Sequence, residues 1–427
     1  MCPTTSPALA LDRSVQAGPV HVPVRIRSGD GPAAGAELAL AARRTGARRL
    51  VVLADPALPA PHLARVLRAL EKAAPTEVRR PAAARVTVPD GATVVPDRAM
   101  AVPDGATVVL DGTAVVPDGA TVVALGGTRI IEAADRLVHR DGTPPPLLRL
   151  PTTLRAMSDA ALSVAGRAAP GPAPAPVLVR AELDFLETLD AAAPRAGVCA
   201  LLRDVLAVVP GSYDQVAARL RRDGRYDPAT LASFLSLCVE VRAALLCFDP
   251  LETGQAAVLH YGRAVARALL ARSGPGALAH GDAVTLGMLV SARVARLTGL
   301  LDAAAERAHT ELVERAGGPT ALPVGVTAEQ VLAELVRGAG RPPRQRTGGG
   351  SEPGQALILL DGLGAPHLEH GRPRTPVGTD VLRAALAAFG PARATNSPGP
   401  GPGPGRGPGP GRDSSLMPLG RRAPESR

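Results

Sequence analysis

The chain has 427 residues, 46% of them hydrophobic but only 2% aromatic and none tryptophan, so a core for two ordinary domains must be built from Ala, Val and Leu. The formal charge of +9 raises nucleic acid as a partner, but Lys72 is the sole lysine, the arginines are dispersed, and aromatics for base stacking are scarce. Cys2, Cys199, Cys238 and Cys247 form no C-x-x-C pair, the N-terminus lacks a signal-peptide layout, and no apolar run approaches the ~20 residues of a membrane helix. The expectation is a soluble cytoplasmic protein with reduced thiols and neither a membrane nor a nucleic-acid partner.

In chain order, residues 34–48 carry a helical pattern, and Leu50-Val51-Val52-Leu53-Ala54 reads as a buried strand closed by Asp55-Pro56. Apolar residues at helical spacing follow over 61–72. Strand, acidic turn and helix in this order open a nucleotide-binding α/β domain. The octet Val-Pro-Asp-Gly-Ala-Thr-Val-Val then starts at Val88, Val102 and Val116, a repeat every fourteen residues across 88–123. Pro-Asp-Gly is turn chemistry and Ala-Thr-Val-Val a short strand. Two readings fit: a small β-solenoid stack, or a duplication of which only the last copy, running into Ala124-Leu125-Gly126-Gly127, serves as a sheet strand.

From 183 the pattern is helical over 197–209, 214–222, 228–246, 256–272, 280–299, 302–316 and 327–337. The expected class is α/β, with a Rossmann-like nucleotide-binding domain over 1–182 and an all-α domain over 183–394. Ser397–Arg412 alternates Pro and Gly and has nothing to bury, so 395–427 reads as a disordered tail.

Several motifs in order resemble one family. They are Leu150-Pro151-Thr152-Thr153-Leu154, Ala156-Met157-Ser158-Asp159 with Leu162-Ser163, Leu183-Asp184-Phe185-Leu186, Leu259-His260-Tyr261-Gly262, His280-Gly281-Asp282-Ala283-Val284, and Leu359-Leu360-Asp361-Gly362-Leu363-Gly364. The first is similar to the Pro-Thr-Thr-Leu motif of the dehydroquinate synthase-like sugar-phosphate cyclases, and its continuation resembles their 2-deoxy-scyllo-inosose synthase branch. The resemblance implies NAD, a divalent cobalt or zinc ion, and a sugar phosphate such as glucose 6-phosphate. The implied reaction is oxidation, phosphate elimination and aldol cyclisation in aminoglycoside assembly.

On cofactor residues, the resemblance places Asp55 at the ribose, Gly126 and Gly127 at the pyrophosphate with the family's third glycine replaced by Thr128, and Thr152 and Thr153 on the nicotinamide side. It assigns catalytic positions to Glu132, where the family keeps Asp or Asn, to Asp159, and to Arg203 and Arg242, which replace lysines. The arginine that the family directs at the phosphate is here Thr143. Of the family's metal ligands, a glutamate and two histidines, only His280 remains; the other positions are Ala200 and Arg263, and a further histidine of that segment has become Arg267. An alternative zinc set of Cys199, His260 and His280 would need its donors to converge. Bound metal is therefore not expected. The resemblance implies an impaired cyclase, or alternatively a catalytically dead pseudoenzyme that serves as scaffold, homodimer or partner subunit of a true cyclase.

Overall fold

A computed structural model describes residues 8–29, 32–81, 86–87, 93–94, 116–139, 144–165, 175–190, 192–274, 276–339 and 355–390. The chain starts with a feature the sequence reading missed, an antiparallel hairpin of β1 (Leu9–Ala17) and β2 (Val20–Ser28). Gly18, at φ +57, makes the turn with Pro19, and Val22, Val24 and Ile26 alternate inward along β2.

Next come α1 (Pro32–Arg44), β3 (Arg49–Ala54), α2 (Ala60–Leu70) and β4 (Thr76–Arg79). Leu50 through Ala54 are all buried, the mark of a parallel strand covered on both faces. Of the repeat, Thr93-Val94 of the first copy forms β6, paired with β5 (Val86–Thr87). The copy from Val102 lies outside the described residues. The last copy supplies β7 (Ala120–Gly126), buried along its whole length. After it come α3 (Thr128–Val138), β8 (Leu147–Pro151), α4 (Leu154–Ser158) and β9 (Leu178–Glu182).

The sheet order is β1-β2-β9-β8-β7-β3-β4, parallel apart from the hairpin. The chain builds outward from β3 to β4, then returns to the other side of β3 and continues through β7, β8 and β9. The reversal falls between β3 and β7, and an open α/β sheet binds ligands beyond the carboxyl ends of strands at such a point. Two arginines inside the sheet are neutralised locally. Arg149 bonds Asp135 at 2.6 Å and the carbonyls of Ala161 and Ser163, and Arg180 bonds Glu37 at 2.6 Å and Glu182.

The helical half contains α5 (Ala192–Gly197), α6 (Cys199–Ala207), α7 (Tyr213–Ala217), α8 (Pro228–Leu246), α9 (Arg263–Arg272), α10 (His280–Leu297), α11 (Ala303–Arg315) and α12 (Ala328–Ala339). Short strands β10 (Gln355–Leu357), β11 (Leu360–Gly362), β12 (Ala365–Pro366) and β13 (Thr375–Val377) precede α13 (Thr379–Ala387). Among the described residues, α8 is the one helix long and apolar enough to cross a bilayer; here it packs on β1 and α6 and carries the buried Arg242.

The expected helix over 256–272 is broken. Gln255–His260 is a 3-10 turn, Gly262 stands at φ +80, and α9 starts only at Arg263. The cause is close packing: a Cβ on Gly262 would lie 2.7 Å from the Val284 carbonyl oxygen, and one on Gly287 would lie 2.1 Å from the Gly262 carbonyl oxygen. Two glycines thus seat the start of α9 directly on α10. One apolar cluster runs from Leu50 and Leu150 of the sheet to Leu202, Leu235 and Val290 of the helices. Residues 395–427 lie outside the described residues.

Candidate functional site

Three strand ends meet at the reversal of the sheet. Asp55 follows β3, Gly126 ends β7 with Gly127 capping α3, and Thr152-Thr153 follow β8. The backbone ties them together: Asp55 N donates to the Leu125 carbonyl at 2.9 Å and Thr152 N to the Gly126 carbonyl at 3.0 Å. Thr153 caps α4 by accepting from Ala156 N at 3.2 Å. A Cβ on Gly126 would come within 2.6 Å of Ile130 Cγ1 and 3.0 Å of Asp55 Cβ, so only glycine keeps this cradle open. The residues fit a dinucleotide. The first turn of α3 has no side-chain cap, so its end offers amides and a positive dipole to a pyrophosphate. Beside it, the buried Thr128 hydroxyl finds no hydrogen-bond partner among the described residues.

Behind this crevice lies a buried cluster of charges centred on Asp159, in the bend after α4. Its Oδ1 accepts from Arg203 Nη1 at 3.3 Å and closely from Arg242 Nη2, and its Oδ2 accepts from Arg263 Nη2 at 2.6 Å. Arg203 also forks onto Asp204 Oδ1 at 2.9 and 2.7 Å and donates to the Leu259 carbonyl. Burial works against the charge on Arg203, but Asp204 and Asp159 outweigh it and hold the guanidinium protonated. Burial pushes the Asp204 carboxyl up against the pull of Arg203 and Arg242. Glu252, at φ +54, completes the cluster: Oε1 accepts from Ser163 Oγ at 2.7 Å and from Arg242 at 3.4 Å, and Oε2 lies 3.0 Å from His260 Nε2. His260 Nδ1 faces Arg263 Nη1 at 2.7 Å.

In front of the cluster opens a cavity of about 440 Å³ lined by Glu132 of α3, Arg155 of α4, His260, Arg263 and Arg267 at the start of α9, His280 at the start of α10, and Arg374 before β13. The structure therefore brings Glu132 and His280 to one cavity. Arg203 and Arg242 are not among its lining residues: they are 3% and 0% exposed, and their Nη donors go to Asp159, Asp204, Glu252 and the Leu259 carbonyl. In this conformation they hold the site in place from behind.

The donor set does not fit a divalent metal. Ala200 offers a methyl group and Arg263 a permanent cation already bonded to Asp159. Among the described residues, no three His, Cys, Asp or Glu side chains are placed to hold an ion. The alternative set fails on its own terms: His260 is held by Glu252 and Arg263, and burial pushes the Cys199 thiol up to about 11, away from the thiolate that a metal needs. Sequence reasoning missed Glu252, Asp204 and Ser163 as parts of the site. Ser163 lies in a quoted motif, whereas Glu252 sits in an irregular loop with no periodic signal.

The model of the 3-dehydroquinate synthase C-terminal region matches residues 208–338. The 2-deoxy-scyllo-inosose synthase of Streptoalloteichus tenebrarius is 34% identical over 241 residues, covering 54% of this chain and 60% of its own. That of Micromonospora echinospora is 32% identical over 242 residues, covering 54% and 59%. The chain thus spans about three fifths of the length of these curated relatives. Among solved structures, a 2-deoxy-scyllo-inosose synthase complexed with carbaglucose-6-phosphate, NAD+ and Co2+ superposes with a TM-score of 0.71 at 19% identity, covering 89% of this chain and 100% of that one. A 2-epi-5-epi-valiolone synthase from Streptomyces hygroscopicus subsp. jinggangensis, with NAD+ and Zn2+ bound, gives 0.63 at 20% identity, covering 85% and 96%. At these identities the superpositions establish the fold.

Proposed function

We propose that the chain belongs to the dehydroquinate synthase-like sugar-phosphate cyclase family, and that it binds NAD and a phosphorylated sugar but no longer performs metal-assisted cyclisation. The observation that carries this reading is the 2.6 Å pair between Arg263 and Asp159, where the resemblance puts a metal-ligating histidine. A guanidinium keeps its charge at any working pH, donates and cannot ligate, and repels a dication.

When bound, NAD supplies a hydride acceptor for a sugar hydroxyl. The chain's own residues orient both ligands. Asp55 accepts from ribose hydroxyls, the Gly126-Gly127 turn admits the pyrophosphate, Thr152 and Thr153 border the nicotinamide side, and the arginine-lined cavity receives the sugar phosphate. Glu132 stands in that cavity as a carboxylate able to accept from a sugar hydroxyl. Two ligands held without turnover suit a regulatory or structural partner of an active cyclase, in a homodimer or a mixed assembly.

The test is metal content of the purified protein, together with phosphate release from glucose 6-phosphate in the presence of NAD and Co2+ or Zn2+. The expected result is sub-stoichiometric metal, no phosphate release, and saturable NAD binding. Stoichiometric metal with phosphate release would establish an active 2-deoxy-scyllo-inosose synthase instead.

A further inference from the structure

Away from the cavity, the link between α7 and α8 carries Arg219, Arg221, Arg222 and Arg225, which line one open hollow of about 940 Å³ against two carboxylates, Asp223 and Asp227. Both carboxylates are engaged locally. Asp227 caps α8, accepting from Thr230 N at 2.9 Å and from Thr230 Oγ1 at 2.7 Å. Asp223 accepts from Arg225 N at 3.0 Å and lies 3.9 Å from Arg221 Nε. Arg219 donates to the neutral Ser233 hydroxyl at 3.1 Å, and the exposed side chains of Arg222 and Arg225 make no hydrogen bond or ion pair among the described residues. The hollow therefore keeps a surplus of positive charge. Its shape is fixed by packing. Tyr226 Oη closes the link by accepting from Arg221 N at 3.4 Å and donating to the Arg221 carbonyl at 3.3 Å, and its ring meets Phe234 edge-on with centroids 5.4 Å apart. Gly317, at φ +73 after α11, lies so close that a Cβ there would stand 2.5 Å from the Arg222 carbonyl oxygen. Arg225 and Tyr226 also border a second hollow, of about 370 Å³. Its walls are apolar: Leu183, Leu186 and Leu189 in and after the 3-10 turn Leu183–Thr188, Pro194 of α5, and Pro228 and Leu231 of α8. Neither hollow shares a lining residue with the cavity described above.

We propose that this two-part groove docks an acidic segment of a partner protein, with successive carboxylates over the arginine hollow and one large apolar side chain in the hollow beside it. Charge complementarity selects the acidic part, and the apolar walls select the anchor, the pairing of a desolvated anchor with a charged rim that protein interfaces use. Glu187, which lines the apolar hollow, gives the segment a direction. It repels carboxylates at that end, so the acids lie on the arginine side. A nucleic acid would meet the same charge but no platform for its bases, because the Tyr226 ring is half-buried and packed on Phe234. The proposal stands apart from the reading of the sugar-phosphate cavity and does not depend on it.

The experiment is fluorescence anisotropy of a fluorescein-labelled peptide, Glu-Glu-Asp-Glu-Gly-Phe-Leu-Gly, titrated with the full chain. The comparison probes are the same peptide with its acids changed to amides, the same peptide with Ser-Ser in place of Phe-Leu, and a labelled single-stranded oligonucleotide of equal charge. The parent peptide is expected to bind saturably. Either change to the peptide, or the double variant R222Q/R225Q, should weaken binding at least about tenfold, and added salt should weaken it further. Leu189→Gln, at the apolar end, should weaken the parent peptide at least about threefold while leaving the Ser-Ser peptide unchanged. The thermal midpoint of R222Q/R225Q should match wild type, since both side chains are exposed. A parent peptide that does not saturate, or that binds no better than its amide form, overturns the proposal. An oligonucleotide that binds as tightly as the peptide overturns it in favour of a general polyanion patch. Sedimentation that finds a dimer broken by R222Q/R225Q but not by excess peptide overturns it in favour of a second copy of the chain.

Discussion

Arg263, the first residue of α9, donates to Asp159 at 2.6 Å and so ties the helical half to the bend that follows β8 and α4. Arg203 and Arg242 share the same carboxylate. Removing the carboxylate leaves three guanidiniums facing one another, whereas removing Arg263 leaves Asp159 with two. The Asp159→Ala change is therefore expected to cost about 3–5 kcal/mol, as when a buried pair is broken from its central member. Arg263→Gln should cost about 1.5–3 kcal/mol, in line with a hydrogen bond to a charged group. Urea midpoints at constant slope give both values, and equal losses for the two variants would mean that Asp159 is not the hub.

If the guanidinium of Arg263 excludes the metal, restoring donors should readmit it. A200E/R263H adds a carboxylate and an imidazole to His280, the minimum three-ligand set for a catalytic zinc. After chelation and dialysis against zinc, elemental analysis should find close to one ion per chain in the variant and well under a tenth in wild type. Parity between them would remove the basis for the metal-free reading.

The crevice was legible in the sequence because its residues end apolar strands. A buried run such as Leu50 to Ala54 announces a central strand, and the polar or glycine residue after it must then sit at the ligand edge of the sheet. The cavity was legible only in part. Glu132, His280 and Arg263 came from motif order, but nothing in local pattern reports that Glu252, in a loop at positive φ, meets Arg242 and His260. Such pairings are tertiary. The hairpin of Leu9–Ser28 was missed although its alternation is visible along β2. The helix expected over 256–272 failed at Gly262 for the same reason Glu252 was invisible: the constraint comes from α10 packed across it, not from neighbours in sequence.

That packing makes its own prediction. In Gly287→Ala, the new methyl would stand 2.1 Å from the Gly262 carbonyl oxygen, which belongs to backbone and cannot swing aside. Alanine should gain up to about 1 kcal/mol in helix propensity, but overpacking of this kind costs about 1–3 kcal/mol and shifts the start of α9. A net loss in thermal stability with weakened sugar-phosphate binding is expected. A net gain would show that the two helices are not in contact at these glycines.

The crevice proposed to take the dinucleotide is open to the same kind of test. Asp55 caps its own turn by accepting from Ala57 N at 3.0 Å, and in the proposed reading its carboxylate also accepts from the ribose. Asp55→Ala should weaken NAD binding roughly tenfold by loss of charge-assisted hydrogen bonds. Thr128→Val, which removes the buried hydroxyl with little change of shape, should weaken NAD binding by a smaller factor while raising or preserving stability, because the lost group has no partner among the described residues. Fluorescence titration of NADH against both variants checks the order; a Thr128→Val variant that loses stability but binds NADH normally would mean that the hydroxyl serves the fold.

His309 gives the stability a pH dependence that can be assigned to one side chain. It is fully buried on α11, with Nδ1 2.7 Å from the Ala305 carbonyl and Nε2 3.0 Å from the Tyr261 hydroxyl. The carbonyl can only accept, so Nδ1 carries the proton and Nε2 accepts from Tyr261. Burial, partly opposed by the bond to Ala305, pushes His309 down to about 4 from an ordinary 6.5. Above pH 6.5 the ring is neutral in both folded and unfolded chains and contributes no slope. Between 6.5 and 4 the unfolded chain takes up a proton that the folded chain refuses, so stability falls as the pH drops, by on the order of 3 kcal/mol in all. His309→Gln keeps an acceptor for Tyr261 but cannot titrate. It should lower stability at pH 7.5 yet flatten the decline between pH 6.5 and 4.5. Urea unfolding at one-unit pH intervals measures both curves, and profiles that run parallel through that window would assign the acid sensitivity to other groups.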